Sequence, residues 1–145
     1  MKTVLLGMSG GIDSSISALL LKNMGYHVIG VYMKNWNCNS NDYKDVVAVC
    51  EKLDIPYYTI SYEDDYKELV FDSYIKDLKN GINVNPDVLC NKFIKFDKLY
   101  KLMLNLNCDY LATGHYAKIK DKKLMRPKDS SKDQTYFLYD IDYSI

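Results

Sequence analysis

No lysine stands between Lys2 and Lys22, so the glycine-containing stretch that opens the chain is not a Walker loop, which closes on Gly-Lys-Ser or Gly-Lys-Thr. Its glycines, Gly10 and Gly11, are adjacent, so the dinucleotide spacing G-x-G-x-x-G is absent too. The four cysteines, Cys38, Cys50, Cys90 and Cys108, lie far apart and none forms a C-x-x-C pair. That excludes zinc-ribbon, thioredoxin-like and iron–sulfur spacings, and leaves reduced thiols as the expectation. No apolar run approaches membrane-spanning length, and one lysine ahead of the first strand is not the start of a signal peptide. A cytoplasmic protein without a membrane partner is expected. The formal net charge is zero, which argues against broad non-specific nucleic-acid binding while leaving room for a local basic patch. There are no repeats or low-complexity segments, and the only arginine is Arg126. At 145 residues the length fits one domain with a sound core.

What is present is an alternation of strands and helices. Short apolar runs over 3–6, 27–33, 57–61 and 110–112 read as strands, rich in β-branched residues and too short for helices. Helical spacing of apolar residues runs over 13–23, 43–53, 66–79 and 93–106, with Gly25 and Asn80-Gly81 as stops. Residues 34–42 and 83–90 read as polar loops, the second stiffened by Pro86. Residues 117–126 suggest a hairpin around Lys120-Asp121-Lys122, and 132–139 a last short helix or turn. The pattern predicts an α/β fold, a doubly wound, Rossmann-like parallel sheet with helices on both faces. Its ligand would bind at the carboxyl ends of the strands.

The first strand runs into Gly7-Met8-Ser9-Gly10-Gly11-Ile12-Asp13-Ser14-Ser15 and then into a helix. A strand, a glycine turn and a helix N-terminus in that order make an anion site. First-turn N–H groups lack internal partners, and the helix dipole favours negative charge there. Gly10 and Gly11 let the backbone approach a phosphate, and Ser9, Ser14 and Ser15 add hydroxyls. Asp13 would repel a phosphate unless a cation lay between them, which points to Mg²⁺ held by Asp13. Ser9-Gly10-Gly11-Ile12-Asp13-Ser14 resembles the signature of the PP-loop ATP pyrophosphatases, which cleave ATP between the α and β phosphates and adenylate a carbonyl-type oxygen.

Beyond this stretch each candidate carries a bland alternative. Met33, at the end of the second strand, offers a polarizable face for adenine, or is a core methionine. Cys90 falls just before the helix predicted from Phe93, where a thiol has a lowered pKa, or is a small buried hydrophobe. Cys50 and Cys108 read as buried, and Cys38 as ambiguous in its polar loop. Lys92, Lys95 and the lysines of 118–128 suit RNA phosphates or a solvated face. His115 sits at the expected nucleotide rim or is a hydrogen-bonded structural group.

Taken in order, Gly7 through Gly11, Met33-Lys34-Asn35-Trp36, Asn85-Pro86-Asp87 through Cys90-Asn91, Ile94-Lys95-Phe96, Ala112-Thr113-Gly114-His115-Tyr116 and Lys132-Asp133-Gln134-Thr135-Tyr136-Phe137-Leu138 resemble the N-terminal part of the tRNA-specific 2-thiouridylases. The resemblance covers the whole chain. It implies that Gly7, Met8, Ser9, Gly10, Gly11, Ile12, Asp13, Ser14, Met33 and Gly114 bind ATP. It further implies that Asn85, Pro86 and Asp87 meet the target uridine, that Cys90 is a catalytic cysteine beside Asp13, and that Lys132, Asp133 and Gln134 contact tRNA. The implied reaction adenylates the 2-oxygen of the wobble uridine and replaces it with sulfur from an enzyme persulfide, loaded by a sulfur-donor protein.

The resemblance also implies parts that this chain lacks. The persulfide-carrying cysteine lies downstream of the Lys-Asp-Gln motif, as do a central tRNA-binding part and a C-terminal β-barrel. Residues 1–145 are therefore expected to be an ATP-binding and adenylation domain, with 116–145 the start of a tRNA-binding region that is cut short. A fragment or truncated product is expected. The other readings are a non-catalytic ATP- or tRNA-binding module, and another adenylating PP-loop enzyme that uses nitrogen.

Overall fold

Val4, Leu5 and Leu6 are almost wholly buried, as a strand covered on both faces requires. They belong to β1 (Thr3–Met8), which is followed by α1 (Ile12–Asn23), β2 (His27–Lys34), α2 (Asp42–Leu53) and β3 (Tyr57–Ser61). α3 (Glu63–Tyr66) and α4 (Ser73–Lys79) are joined by π-helical Lys67–Asp72. α5 (Pro86–Cys90) and α6 (Asp97–Asn105) are joined by π-helical Asn91–Phe96. β4 (Tyr110–Ala112), β5 (Lys118–Lys120), β6 (Lys123–Met125) and a 3₁₀ turn, Thr135–Phe137, complete the order. The computed structural model describes residues 1–36, 41–142 and 144–145. The expectation for Cys38 lies outside the described residues.

The chain divides into two compact units, Met1–Glu63 with Leu99–Gly114, and Asp64–Lys98 with His115–Ile145. The first unit carries a parallel sheet in the order β3-β2-β1-β4. Val4 stands opposite Val28 on one side and Tyr110 on the other, and Met8 opposite Tyr32. Side chains alternate between faces along each strand. Leu6, Met8 and Val28 pack with Ala18 of α1, Val46 and Cys50 of α2, and Ile55. Leu5 and Val31 pack on the opposite face with Leu99 and Met103 of α6, and with Cys108. Helices on both faces of a parallel sheet are the doubly wound arrangement predicted from the alternation.

Helix ends repeat one device. The Gly25 N–H donates to the Lys22 carbonyl and the Tyr26 N–H to the Leu21 carbonyl, with Gly25 left-handed. Gly81 closes α4 in the same way, and the non-glycine residues Asp54 and Asn107 close α2 and α6 with φ of 50° and 52°. In the second unit β5 and β6 form the predicted hairpin, with Asp121 and Lys122 both at positive φ, as a two-residue turn of type I′ requires.

Some boundaries move. β1 runs to Met8, so Gly7 and Met8 are strand residues. Helical structure predicted from Tyr66 begins at Glu63, and that predicted from Phe93 begins at Pro86. The backbone stays right-handed helical through Asn91 and Asp97, so Cys90 lies within a continuous helical run and not before one.

Candidate active site

In the first unit β1 delivers the chain to Ser9, and α1 carries it away. Gly11 is the N-cap, with no side-chain hydrogen bond to the first turn. Gly11 brings no capping side chain, and Ser15 is the residue whose N–H first bonds back, to the Gly11 carbonyl at 3.3 Å. The serines brace the turn itself. Ser14 is buried; its Oγ accepts from the Ser9 N–H at 3.2 Å and donates to the Gly11 carbonyl at 3.2 Å. The Ser15 hydroxyl donates to the same carbonyl at 2.8 Å, and the Ser9 Oγ accepts from the Gly11 N–H at 3.3 Å. The hydroxyl donors expected at Ser14 and Ser15 thus bond inside the loop, and backbone N–H groups are what the turn offers an anion.

The two adjacent glycines have different reasons. Gly10 is left-handed at φ +80°, and a Cβ there would stand 2.6 Å from the Asp42 carbonyl oxygen. Gly11 is extended at φ −81°, and a Cβ on it would meet only the Ser9 Oγ, at 3.4 Å. Space over Gly11 is open. Gly114 comes off the end of β4 against this turn: a Cβ on it would stand 2.8 Å from the Ser14 nitrogen. β1 and β4 are neighbours where the strand order reverses, so the turn lies at the crevice where doubly wound sheets bind ligands.

Other members of the predicted set serve differently. A Cβ on Gly7, inside β1, would stand 3.2 Å from Leu99 Cδ1. The Met8 side chain is buried in the core and so presents no face to a ligand, while Ile12 is exposed. Met33 is half-buried and packs against the Leu5–Val31 core. Asn35, just past β2, was not singled out from sequence. Its Oδ1 is buried with no hydrogen-bond partner among the described residues, an acceptor placed at a strand's carboxyl end. Together the uncapped helix start, the open face of Gly11 and this acceptor fit a nucleotide. Among the described residues no group of three or more His, Cys, Asp or Glu could hold a metal.

The second unit holds the remaining residues. Asn85 is the N-cap of α5, its Oδ1 accepting from the Asp87 N–H at 2.9 Å, and Pro86 takes the first turn. Cys90 is buried one turn further on. Burial pushes its thiol up, Lys95 pulls it down and Asp87 pushes it up again. The lowered thiol pKa expected from a helix N-terminus is thus corrected: Cys90 sits inside the helical run, and desolvation outweighs the nearby cation. Burial, then Cys90 and Asp87, likewise raise the Tyr66 phenol. Asn91 is buried, and its amide donates to the Phe137 carbonyl at 3.2 Å. Lys92, read as a phosphate or solvated lysine, pairs with Asp140 at 2.8 Å.

Lys132, Asp133 and Gln134 fold back on their own unit. Gln134 Oε1 accepts from the Tyr116 N–H at 2.8 Å, while the Gln134 N–H donates to the Tyr116 carbonyl at 3.0 Å. Lys132 Nζ lies 4.2 Å from the Tyr116 ring centroid. Asp133 Oδ1 takes the Thr135 N–H and hydroxyl at 2.9 and 2.5 Å, which holds its carboxyl below the usual range. His115 stacks near Phe96, centroids 5.6 Å apart, and burial, aided by Lys95, lowers it to about 4.

Comparison with known proteins gives the family. Residues 2–145 match the family described as the tRNA methyl transferase HUP domain. A protein of Limosilactobacillus reuteri named tRNA-specific 2-thiouridylase MnmA is 50% identical over 97% of this chain and 41% of its own length. Its namesake in Protochlamydia amoebophila is 48% identical over 99% and 42%. The chain spans about two fifths of the length of these curated relatives. Among solved structures, an NH3-dependent NAD synthetase from Campylobacter jejuni in complex with nitrate is similar at TM-score 0.57 and 27% identity, over 78% of this chain and 47% of that one. A predicted subunit of tRNA methyltransferase from Methanocaldococcus jannaschii, at TM-score 0.55 and 21% identity over 86% and 58%, shares the fold. No helix among the described residues is long and apolar enough to cross a membrane.

Proposed function

The chain belongs to the tRNA methyl transferase HUP domain family, and on that footing we propose that it is the nucleotide-binding and adenylating domain of an ATP-dependent tRNA uridine 2-sulfurtransferase. The observation that carries the reading is the seat of Gly114 on the first turn of α1, which frames an anion site at the reversal of the strand order. The names of the two relatives described above choose among the reactions that such a site serves.

In this reading the first-turn N–H groups of α1 hold the triphosphate, and Asn35 Oδ1 accepts from a donor on the nucleotide. The uridine 2-oxygen attacks the α-phosphorus, and pyrophosphate leaves as the bond to the β-phosphate breaks. A carbonyl oxygen that cannot leave as such becomes AMP. Charge gathers on the departing pyrophosphate, and a fixed helix N-terminus stabilises it without reorganisation. Asp13 would hold a Mg²⁺ ion, which would supply further neutralisation of that charge. Asn85, Pro86 and Asp87 hold the base near Cys90, and the Lys132–Gln134 segment shapes the tRNA-facing loop through Tyr116. Sulfur comes from a persulfide on a cysteine outside these residues, loaded by a donor protein: its terminal sulfur attacks C2 and displaces AMP, and the Cys90 thiolate then takes the inner sulfur, breaking the S–S bond and leaving a disulfide between the two cysteines. A tRNA substrate puts the work in the cytosol.

The decisive experiment measures pyrophosphate release from ATP with unmodified tRNA. Asp13→Ala is expected to abolish release while circular dichroism stays unchanged; release at the wild-type rate by that variant overturns the reading. The buried, raised thiol of Cys90 favours a second reading, a nucleotide- and tRNA-binding module without catalysis. Tight binding of ATP and tRNA with no AMP formed would establish it.

A further inference from the structure

Cys90 and Lys95 are five residues apart. On an α-helix such residues lie about 140° apart around the axis and do not meet. The backbone between them is not α-helical. Asn91–Phe96 is a π segment, and the Asp97 N–H donates to the Lys92 carbonyl five residues back. A π turn closes at five, so it returns residue i+5 to the side of residue i. Cys90 is the N-cap of this segment, and Lys95 falls inside its final turn. Lys95 is half-buried, and its charge acts on both Cys90 and His115. The next residue, Phe96, stacks near His115. Read from sequence, Lys95 was a phosphate contact or a solvated lysine; the π segment gives it another place.

We propose that Lys95 is a positioning residue for Cys90, and that the π segment exists to hold its ammonium where it steadies the thiolate. The S–H bond breaks, the proton passes to a solvent base and the electron pair stays on sulfur as the nucleophile. The surrounding groups oppose or ignore this charge. Asp87, one turn earlier on the same helix, disfavours the thiolate. Tyr66, ahead of the Lys67–Asp72 segment that packs on α5, shares the burial and stays protonated. That segment's own buried residue is the apolar Val70. From the 3₁₀ side, Asn91 and the Phe137 carbonyl are neutral, and Asp140 is engaged by Lys92. Lys95 is the cation that acts on Cys90, and it adds to burial, the larger cause, in keeping His115 neutral.

The inference deepens the sulfur-transfer reading, in which Cys90 is the reacting thiol, but its test needs neither ATP nor tRNA. The whole chain, labelled with ¹³Cβ-cysteine, is titrated by NMR, with Cys90→Ser to assign the signal. Lys95→Met is expected to raise the Cys90 midpoint by about one pH unit, while Lys95→Arg leaves it near wild type. Cys50 and Cys108 serve as internal references and should not move. An unmoved Cys90 midpoint in Lys95→Met overturns the proposal. So does a Lys95→Arg midpoint shifted as far as that of Lys95→Met, and so does a thiol that stays protonated to the alkaline limit in all three proteins. A shifted midpoint with no tRNA-dependent pyrophosphate release keeps the lysine's role and discards the reaction. The converse result discards the lysine alone.

Discussion

Gly114 rests on the backbone of Ser14, close enough that a Cβ at position 114 would stand 2.8 Å from the Ser14 nitrogen and 3.0 Å from the Asp13 carbonyl carbon. These are backbone atoms at the start of a helix and cannot swing aside as a side-chain tip would. Gly114→Ala should therefore push the end of β4 away from the turn, costing about 1–3 kcal/mol of stability. Nucleotide affinity, measured by calorimetry with a non-hydrolysable ATP analogue, should fall by at least tenfold. Wild-type affinity in a folded Gly114→Ala protein would remove Gly114 from the site.

Gly10 and Gly11 should separate folding from binding. Gly10→Ala places a side chain in a left-handed backbone and against the Asp42 carbonyl, so urea unfolding should show a loss of about 2 kcal/mol or more. Gly11→Ala meets an ordinary backbone and a single serine hydroxyl, so its stability should stay within about 1 kcal/mol of wild type. Its methyl group would nonetheless stand in the anion space, and nucleotide binding should weaken. Equal unfolding midpoints for the two variants would contradict this division.

His115 should make the protein acid-sensitive in a defined window. Its folded value is about 4 against an ordinary 6.5, so between these the unfolded chain binds a proton that the folded chain refuses. The stabilisation from the neutral imidazole is whole above 6.5, declines as pH falls, and is gone below about 4. Its size is on the order of 3 kcal/mol. Urea midpoints taken from pH 7 down to 4 should fall more steeply for wild type than for His115→Gln. Parallel curves would show that another group carries the acid limb.

Asn85 holds the start of α5 through its side chain. Asn85→Ala should cost about 1 kcal/mol, and Asn85→Asp should keep most of that stability. Hydrogen exchange at the Asp87 amide reports the cap directly and should speed up in Asn85→Ala alone.

The sheet was legible because buried parallel strands are written as local apolar runs, and 57–61 and 110–112 were read to the residue. The helical run carrying Cys90 was read seven residues short. Its buried positions fall at Val88, Cys90, Asn91, Ile94, Leu99 and Met103, and the step from Ile94 to Leu99 is five residues. A π segment adds a residue to a turn, so the 3.6-residue period that reveals a helix lapses just there. Asn85 before Pro86 was nevertheless a helix-start signature in plain view, an Asx cap followed by proline at the first turn. The partners of Lys132, Asp133 and Gln134 were not legible, because Tyr116 meets them only through the turn of a hairpin. Asn35 shows the same limit: that an acceptor is buried and unmatched is a property of its surroundings, which no neighbour in sequence announces.

The strand order has a consequence in time. β1, β2 and β3 pair in the order they leave the ribosome, each with a neighbour joined to it by a single crossover. β4 pairs with β1 only after the whole stretch from Asp64 to Lys98 has been made, and Val4 meets Tyr110 across more than a hundred positions. Closing so long a loop adds little to the equilibrium cost, since loop entropy grows only with the logarithm of length, but non-local pairing slows folding. A nascent chain would then hold three strands with one flank of β1 unpaired until β4 has been made. The crevice at that flank is therefore the last part of the sheet to exist, and the nucleotide site proposed between Gly114 and α1 cannot form before β4 has paired.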